Sequence, residues 1–224
     1  MAPLVRTGGS RHTGLAAPPH HNNQYDAKEG ILHHKEVVDL LPANIELSGI
    51  EVSLVNAMSR EFTLRSFLDQ QRPDYDYILI DCMPSLGMLT INAFAASDKV
   101  IIPVQAHYLP LKGMTQLIKT IGKVQRQINP KLKIGGALLT LADMRTNLGQ
   151  ATASSLKETY GKAIHVYETV IPVAIKAAET SAAGMSIYSY DKNNAAAKAY
   201  RSFTKEVIQN GEKTRNKHES SICR

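Results

Sequence analysis

The sequence predicts an α/β fold built on a mostly parallel sheet with flanking helices. Three observations carry that prediction. Tyr77-Ile78-Leu79-Ile80, Lys99-Val100-Ile101-Ile102-Pro103-Val104 and Lys133-Ile134-Gly135-Gly136-Ala137-Leu138-Leu139-Thr140 are near-continuous apolar runs without polar alternation. Such runs suit strands buried on both faces of a parallel sheet. Between the last two, Leu111, Met114, Ile118, Ile121 and Gln125 share one helical stripe, with Leu117, Val124 and Ile128 beside it. The runs also alternate with helices of crossover length, the connection that parallel neighbours need.

Each element follows from its local pattern. Residues 1–28 are rich in Gly, Pro, His and Asn without apolar periodicity, and are expected to form a disordered or non-native leader. Val37-Val38-Asp39-Leu40-Leu41 reads as a short strand ending at Pro42. Leu47, Ile50, Leu54 and Met58 recur at helical spacing, and Phe62, Leu64, Phe67 and Leu68 add a further turn or two. Pro73-Asp74 marks a turn, and Asn129-Pro130 ends the helix that began near Leu111. A helix from about Leu148 to Tyr160 stops at Gly161, His165 to Ile171 is a strand, and Ala196, Tyr200, Phe203 and Val207 mark a closing helix. The organised domain is expected over 29–210, and the polar stretch 211–224 as a flexible tail.

Composition narrows the function classes. The 224 residues are 43% apolar and 21% charged, a globular balance with enough chain for one core. Cys82 and Cys223 cannot build a disulfide framework or a CxxC metal knuckle, so reduced thiols in the cytoplasm are expected. No apolar run reaches bilayer length, and Leu15-Ala16-Ala17 is too short for a signal sequence, so no membrane partner is expected. The net charge of +6 permits contact with an acidic polymer without requiring it. His20-His21 and His33-His34 are adjacent pairs without an acidic or Cys partner at ligand spacing, which argues against a metal site.

Chemistry in open parallel sheets gathers beyond the carboxyl ends of the strands. Asp81 follows the Tyr77–Ile80 run directly. An apolar strand ending in Asp is the Walker B pattern, in which the carboxylate orients Mg²⁺ and its water shell beside phosphates. An Asp capping the following turn explains the same residue equally well. Cys82 has no evident His partner and reads as inert, and His107 and His165 read as structural.

The segment Asp81-Cys82-Met83-Pro84-Ser85-Leu86-Gly87-Met88-Leu89-Thr90-Ile91-Asn92-Ala93, within Asp76 to Gln105, resembles the Walker B and switch II region of the ParA/Soj family of plasmid and chromosome partitioning ATPases, the relatives of MinD. Met83 stands where the family commonly has Pro. Leu41-Pro42-Ala43-Asn44-Ile45-Glu46-Leu47, Asp143-Met144-Arg145-Thr146-Asn147-Leu148, Glu168-Thr169-Val170-Ile171-Pro172 through Ala178-Glu179, Tyr190-Asp191 and Ala199-Tyr200 extend the similarity over roughly residues 30–210. The resemblance implies a P-loop NTPase-like domain that uses ATP and Mg²⁺, dimerises, binds DNA non-specifically and answers to a ParB-like partner, in the cytoplasm at the nucleoid. It implies that Asp81 holds the Mg²⁺ water shell, that Pro84, Ser85 and Gly87 belong to switch II, that Arg145 and Lys176 contact DNA, and that Pro172 and Val173 line the adenine pocket. Lys176 replaces the usual Arg, keeping the charge and losing the bidentate fork. Read from the residues alone, Arg145 and Lys176 are solvated cations, and Pro172-Val173 is a turn after a strand.

One family feature is missing. No Gly-Lys in the sequence is followed by Ser or Thr, so the Walker A loop is absent; Gly161-Lys162 precedes Ala163, and Gly8-Gly9-Ser10 lacks the Lys. The N-terminal βαβ portion of the family's fold is expected to be missing with it. Phosphoryl transfer without that cradle loses its main electrostatic stabilisation, so ATP binding and hydrolysis are expected to be impaired. Two other readings stand beside the partition ATPase: a non-catalytic DNA- or partner-binding module, and a gene remnant without function.

Overall fold

The computed structural model describes residues 2–5, 30–43, 46–106 and 110–222. They fall into two compact units, one of residues 1–98 with 120–132 and one of 99–119 with 133–224. The α4 helix named below contributes to both.

The first unit holds an antiparallel sheet. Its strands are β1 (Ala2–Val5), β2 (Leu32–His34), β3 (Val38–Leu41) and β4 (Tyr77–Ile78), in the order β2-β3-β1-β4. Ala2–Val5 of the expected leader thus pairs with β3 and β4, while residues 6–29 lie outside the described residues. The buried Asp39 carboxylate in β3 accepts hydrogen bonds from Tyr75 Oη (2.8 Å) and His33 Nδ1 (2.6 Å), which satisfies a charge that would be costly to bury alone. The Tyr77–Ile80 run departs from the expectation of a strand buried on both faces. Only Tyr77–Ile78 pairs, with one neighbour at the sheet edge, and Tyr77 and Leu79 are exposed.

Helices α1 (Glu46–Leu54) and α2 (Thr63–Gln71) lie over the two stretches of predicted helical spacing, and α3 (Met88–Ala96) follows the Asp81 segment. Of the α1 stripe only Leu54 is buried; Leu47 and Ile50 face solvent, and Met58 lies beyond the helix. Two buried Asn side chains organise α3. Asn92 accepts the Leu64 N–H (3.1 Å) and donates to the Arg60 (2.8 Å) and Met88 (3.0 Å) carbonyls. Asn129, just past α4 (Pro110–Gln127), donates to the Phe94, Ala95 and Ser97 carbonyls at 3.0, 3.2 and 2.8 Å. It thereby answers two of the last four carbonyls of α3, while Ser97 Oγ donates to that of Ala93 and Arg72 to that of Ala96.

The second unit is the predicted parallel α/β portion. Strands β5 (Lys99–Gln105), β6 (Lys133–Ala142) and β7 (Val166–Pro172) form a parallel sheet in that order, with β6 central. Helices α5 (Asn147–Tyr160), α6 (Ile175–Ala183), α7 (Ile187–Asp191) and α8 (Ala195–Ile222) complete it. The backbone of α8 is helical well into the expected tail, over a stretch rich in the good helix formers Glu, Lys and Arg. Leu138, Tyr167 and Ile171 form a core against Ile101, Ala199, Phe203 and Val207, with the Tyr167 and Phe203 rings edge to face at 4.9 Å. Gly136 has φ +148°, and a Cβ there would strike Tyr167 and the His165 carbonyl.

The β6–β7 pairing jumps register: Ala137 faces Val166, yet Leu139 faces Val170. The extra residues on β7 form a bulge whose amides cannot join the ladder. Glu206 of α8 supplies their acceptor, taking the Glu168 N–H at 2.9 Å and the Thr169 N–H at 3.2 Å. Desolvation pushes the Glu206 carboxyl up, but those amides and His165 outweigh it and hold it below the ordinary value. A depressed carboxyl contributes stability that is present above its unfolded value, about 4.3, and is lost as pH falls through the folded value. Glu206→Ala is therefore expected to cost about 2 kcal/mol at neutral pH, from two charge-assisted hydrogen bonds. Glu206→Gln should flatten the acid limb of stability below about pH 4.3, both read by denaturant unfolding across pH. An unchanged acid limb would remove the cap from the account of β7.

Candidate functional site

Asp81 lies three residues beyond β4 in a non-regular segment, 79–87, that leads into α3. Its carboxylate is exposed and has no hydrogen-bond or ion-pair partner among the described residues, so it is not committed to capping a turn. Pro84 and Ser85 are exposed in the same segment. The Ser85 N–H donates to the Met83 carbonyl (2.7 Å), and the Ser85 carbonyl accepts from Thr90 Oγ1 (2.7 Å), which ties the segment to the first turn of α3. Cys82 is exposed, and its thiol is pushed above the ordinary value, first by desolvation and then by the Asp81 carboxylate. That favours the unreactive thiol over the thiolate.

Gly87 is the N-cap of α3, and a Cβ there would run into the Glu51 carboxylate. Glu51 Oε1 accepts the Leu89 N–H at 3.3 Å, so an acid from α1 answers the positive end of α3. Sequence reasoning missed Glu51, because nothing in the spacing of α1 announces a cap on a helix 38 residues away.

Arg145, Pro172, Val173 and Lys176 belong to the second unit, Pro172 as the last residue of β7 and the others beyond the carboxyl ends of β6 and β7. Arg145 is exposed, yet its guanidinium makes a fork onto Asp143, with Nε to Oδ1 at 3.0 Å and Nη2 to Oδ2 at 2.9 Å. The Arg145 side chain and backbone N–H hold the Asp143 carboxyl down at about 2. Thr146 caps α5, accepting the Gly149 N–H at 3.1 Å. Lys176 Nζ lies 2.6 Å from Asp191 Oδ2, a contact that raises the ammonium and lowers the carboxyl. Both predicted cations therefore carry an intrachain counter-charge. Asp143 lies two residues away in the same loop and Asp191 arrives from the end of α7, and neither pairing is expected from the residues alone, which read both cations as solvated. Pro172 ends β7 half-buried, and Val173 is 61% exposed, a free apolar surface where the resemblance puts an adenine.

The histidines support structure. His33 is bound to Asp39, His34 Nδ1 accepts the Glu36 N–H at 3.3 Å, and His165 packs edge to face on Tyr167 with Nε2 near Asn210 (3.2 Å) and Glu206 (3.6 Å). His20, His21 and His107 lie outside the described residues. No group of three or more His, Cys, Asp or Glu among the described residues could hold a metal ion by itself.

These residues fit a magnesium nucleotide only in part. The exposed Asp81 carboxylate suits the water shell of a hard cation. A phosphate cradle is not supplied: the sequence has no Gly-Lys-Ser/Thr, and the N-terminus of α3 is answered by Glu51.

Residues 15–134 match the family described as AAA domain. The chain is 45% identical over 176 residues to the sporulation initiation inhibitor protein Soj of Bacillus subtilis, covering 79% of this chain and 69% of that protein. It is 40% identical over 168 residues to the chromosome-partitioning ATPase Soj of Treponema pallidum, covering 75% of this chain and 66% of that one. It thus spans about two thirds of the length of such relatives. Among solved structures, cobyrinic acid a,c-diamide synthase from Mycobacterium smegmatis with bound ADP and magnesium superposes with a TM-score of 0.72 at 32% identity, over 84% of this chain and 69% of that one. The apolar run ending in Asp81, the parallel sheet of β5 to β7 and the identity to two Soj proteins agree: the chain belongs to the ParA/Soj family of P-loop ATPases.

Proposed function

We propose that the chain acts in DNA partitioning as the DNA-contacting portion of a ParA/Soj-type ATPase. Asp81 is then the group that would hold the Mg²⁺ water shell, and Pro84, Ser85 and Gly87 form the segment that responds to nucleotide. The observation that carries this reading is the exposed Asp81 carboxylate, without a hydrogen-bond or ion-pair partner among the described residues, in a loop tied into α3, in a chain 45% identical to Soj. Bound magnesium nucleotide would supply phosphoryl-transfer chemistry, with Pro172 and Val173 against the adenine. Asp81 would orient the cation's water shell, and the phosphate cradle would have to come from outside these residues. A homodimer and a ParB-like partner, at the nucleoid, complete the reading.

Arg145 and Lys176 would contact DNA phosphates, which attract fixed cations and release counterions without reading sequence. Their carboxylate partners compete with phosphate for the same hydrogen-bond donors.

Three outcomes test this. The 224-residue chain alone should show no magnesium-dependent ATP turnover; turnover abolished by Asp81→Ala would overturn the impaired reading. Arg145→Ala with Lys176→Ala should weaken duplex binding by about tenfold between them, at about 1 kcal/mol or less for each phosphate contact. Asp143→Asn should tighten binding by about two- to fivefold, the scale of an exposed ion pair, measured by fluorescence anisotropy at low salt. Weaker binding in Asp143→Asn would mean that Asp143 positions Arg145 rather than competing for it.

A further inference from the structure

Arg145 and Lys176 are each neutralised within the chain; the outward face of α8 is not. Lys198, Arg201 and Lys205 are all exposed, and none has an ion-pair partner among the described residues. Their spacing of three and four puts them on one side of the helix. Ala196, Ala199, Phe203 and Val207 repeat on the opposite side, where Ala196 is buried and the other three pack at the core of Leu138, Tyr167 and Ile171. The single acid among the described α8 side chains, Glu206, turns inward to cap the β7 bulge. The helix therefore segregates its charge: the carboxylate is spent on the fold, and three cations face out. Arg201 is further set by Tyr188, its guanidinium carbon lying 5.8 Å from the ring centroid.

We propose that this face of α8 is a DNA phosphate-binding rail, distinct from Arg145 and Lys176. It deepens the DNA-binding reading above and rests on it for the choice of ligand. Lys198 to Lys205 spans about 10 Å of helix axis. A duplex presents roughly six phosphates over that length, so a straight row of three cations meets a denser row of anions without needing any one base sequence. A membrane surface fits less well. An interfacial helix buries a continuous apolar face in lipid, and the apolar face of α8 is already packed on the sheet; beside the rail Ser202, Thr204 and Gln209 are polar and exposed, and Ile208, 42% exposed, is a single aliphatic side chain rather than a face.

The test is anisotropy of a fluorescent mixed-sequence duplex without nucleotide, from about 50 to 200 mM salt, on the full chain. Lys198→Gln/Arg201→Gln/Lys205→Gln should weaken binding at least about tenfold and lower the salt slope by about two to three, equally for two unrelated sequences. Lys198→Arg/Lys205→Arg should bind like the parent, because charge and not a particular fold contact is required. All three sites are exposed, so the thermal transition of the triple variant should match the parent. A triple variant that binds like the parent would overturn the rail; if Arg145→Ala/Lys176→Ala then loses binding, the DNA reading stands without it. A parent chain that binds no duplex at the lowest salt would overturn both. Binding to phosphatidylserine vesicles that needs the rail, with no binding to duplex, would overturn the rail in favour of a membrane.

Discussion

The second unit depends on how closely β6 approaches its neighbours at Gly135 and Gly136. A Cβ on Gly135 would meet the Lys99 side chain at 2.7 Å, and one on Gly136 would meet the Tyr167 ring at 2.7 Å. The central strand is stripped of side chains at the point where β5 and β7 close on it. Both pairings also shift register near this point, between Val100 and Ile101 on one side and after Ala137 on the other. Close approach and irregular register go together, since a bulged strand turns residues out of the regular pleat. The β7 bulge then needs an acceptor, Glu206 provides one, and docking Glu206 fixes which face of α8 is left for solvent.

Polar groups in this molecule divide by use. Asp39, Asn92, Asn129 and Glu206 are turned inward, and each closes several hydrogen bonds that would otherwise be buried and unmade. Asp143 and Asp191 sit nearer the surface and hold a cation apiece. Asp81, Lys198, Arg201 and Lys205 are exposed and have no ion-pair partner among the described residues, with Arg201 set over the Tyr188 ring. Exposed ion pairs add little stability, so the pairing of Arg145 and Lys176 bears on what those cations can bind far more than on folding.

Much of this was legible in the sequence where order is local. The α4 stripe, the stop at Asn129-Pro130, the runs of β5, β6 and β7, and the stop of α5 at Gly161 all follow from spacing within a few residues. The Asp81 segment was legible for the same reason; the Arg145 fork onto Asp143 was not, since Arg145 reads from the residues alone as a solvated cation. What escaped depends on distant partners. The antiparallel sheet draws β1 from the far end of the chain, so Tyr77–Ile80 reads as a buried parallel strand although only two of its residues pair. Glu51, Asp191 and Glu206 act on residues 38, 15 and 38 positions away, and no periodicity within α1, α7 or α8 signals those reaches. The rail on α8 was hidden for a related reason: counting charge gives +6, but only the fold separates cations that are answered from those that are not.

Asn129 carries a consequence for how such chains can drift. One side-chain amide serves three carbonyls at the end of α3, and no apolar residue of similar size could replace even one of those bonds. Asn129 is nonetheless far in kind from Asp81 or Arg145, since its hydrogen bonds all run to backbone. Among descendants of a common ancestor it would stay fixed as firmly as a residue that meets ligand. Invariance there would record the grammar of a helix ending, and a mutational history read without the fold would mistake it for a mark of activity.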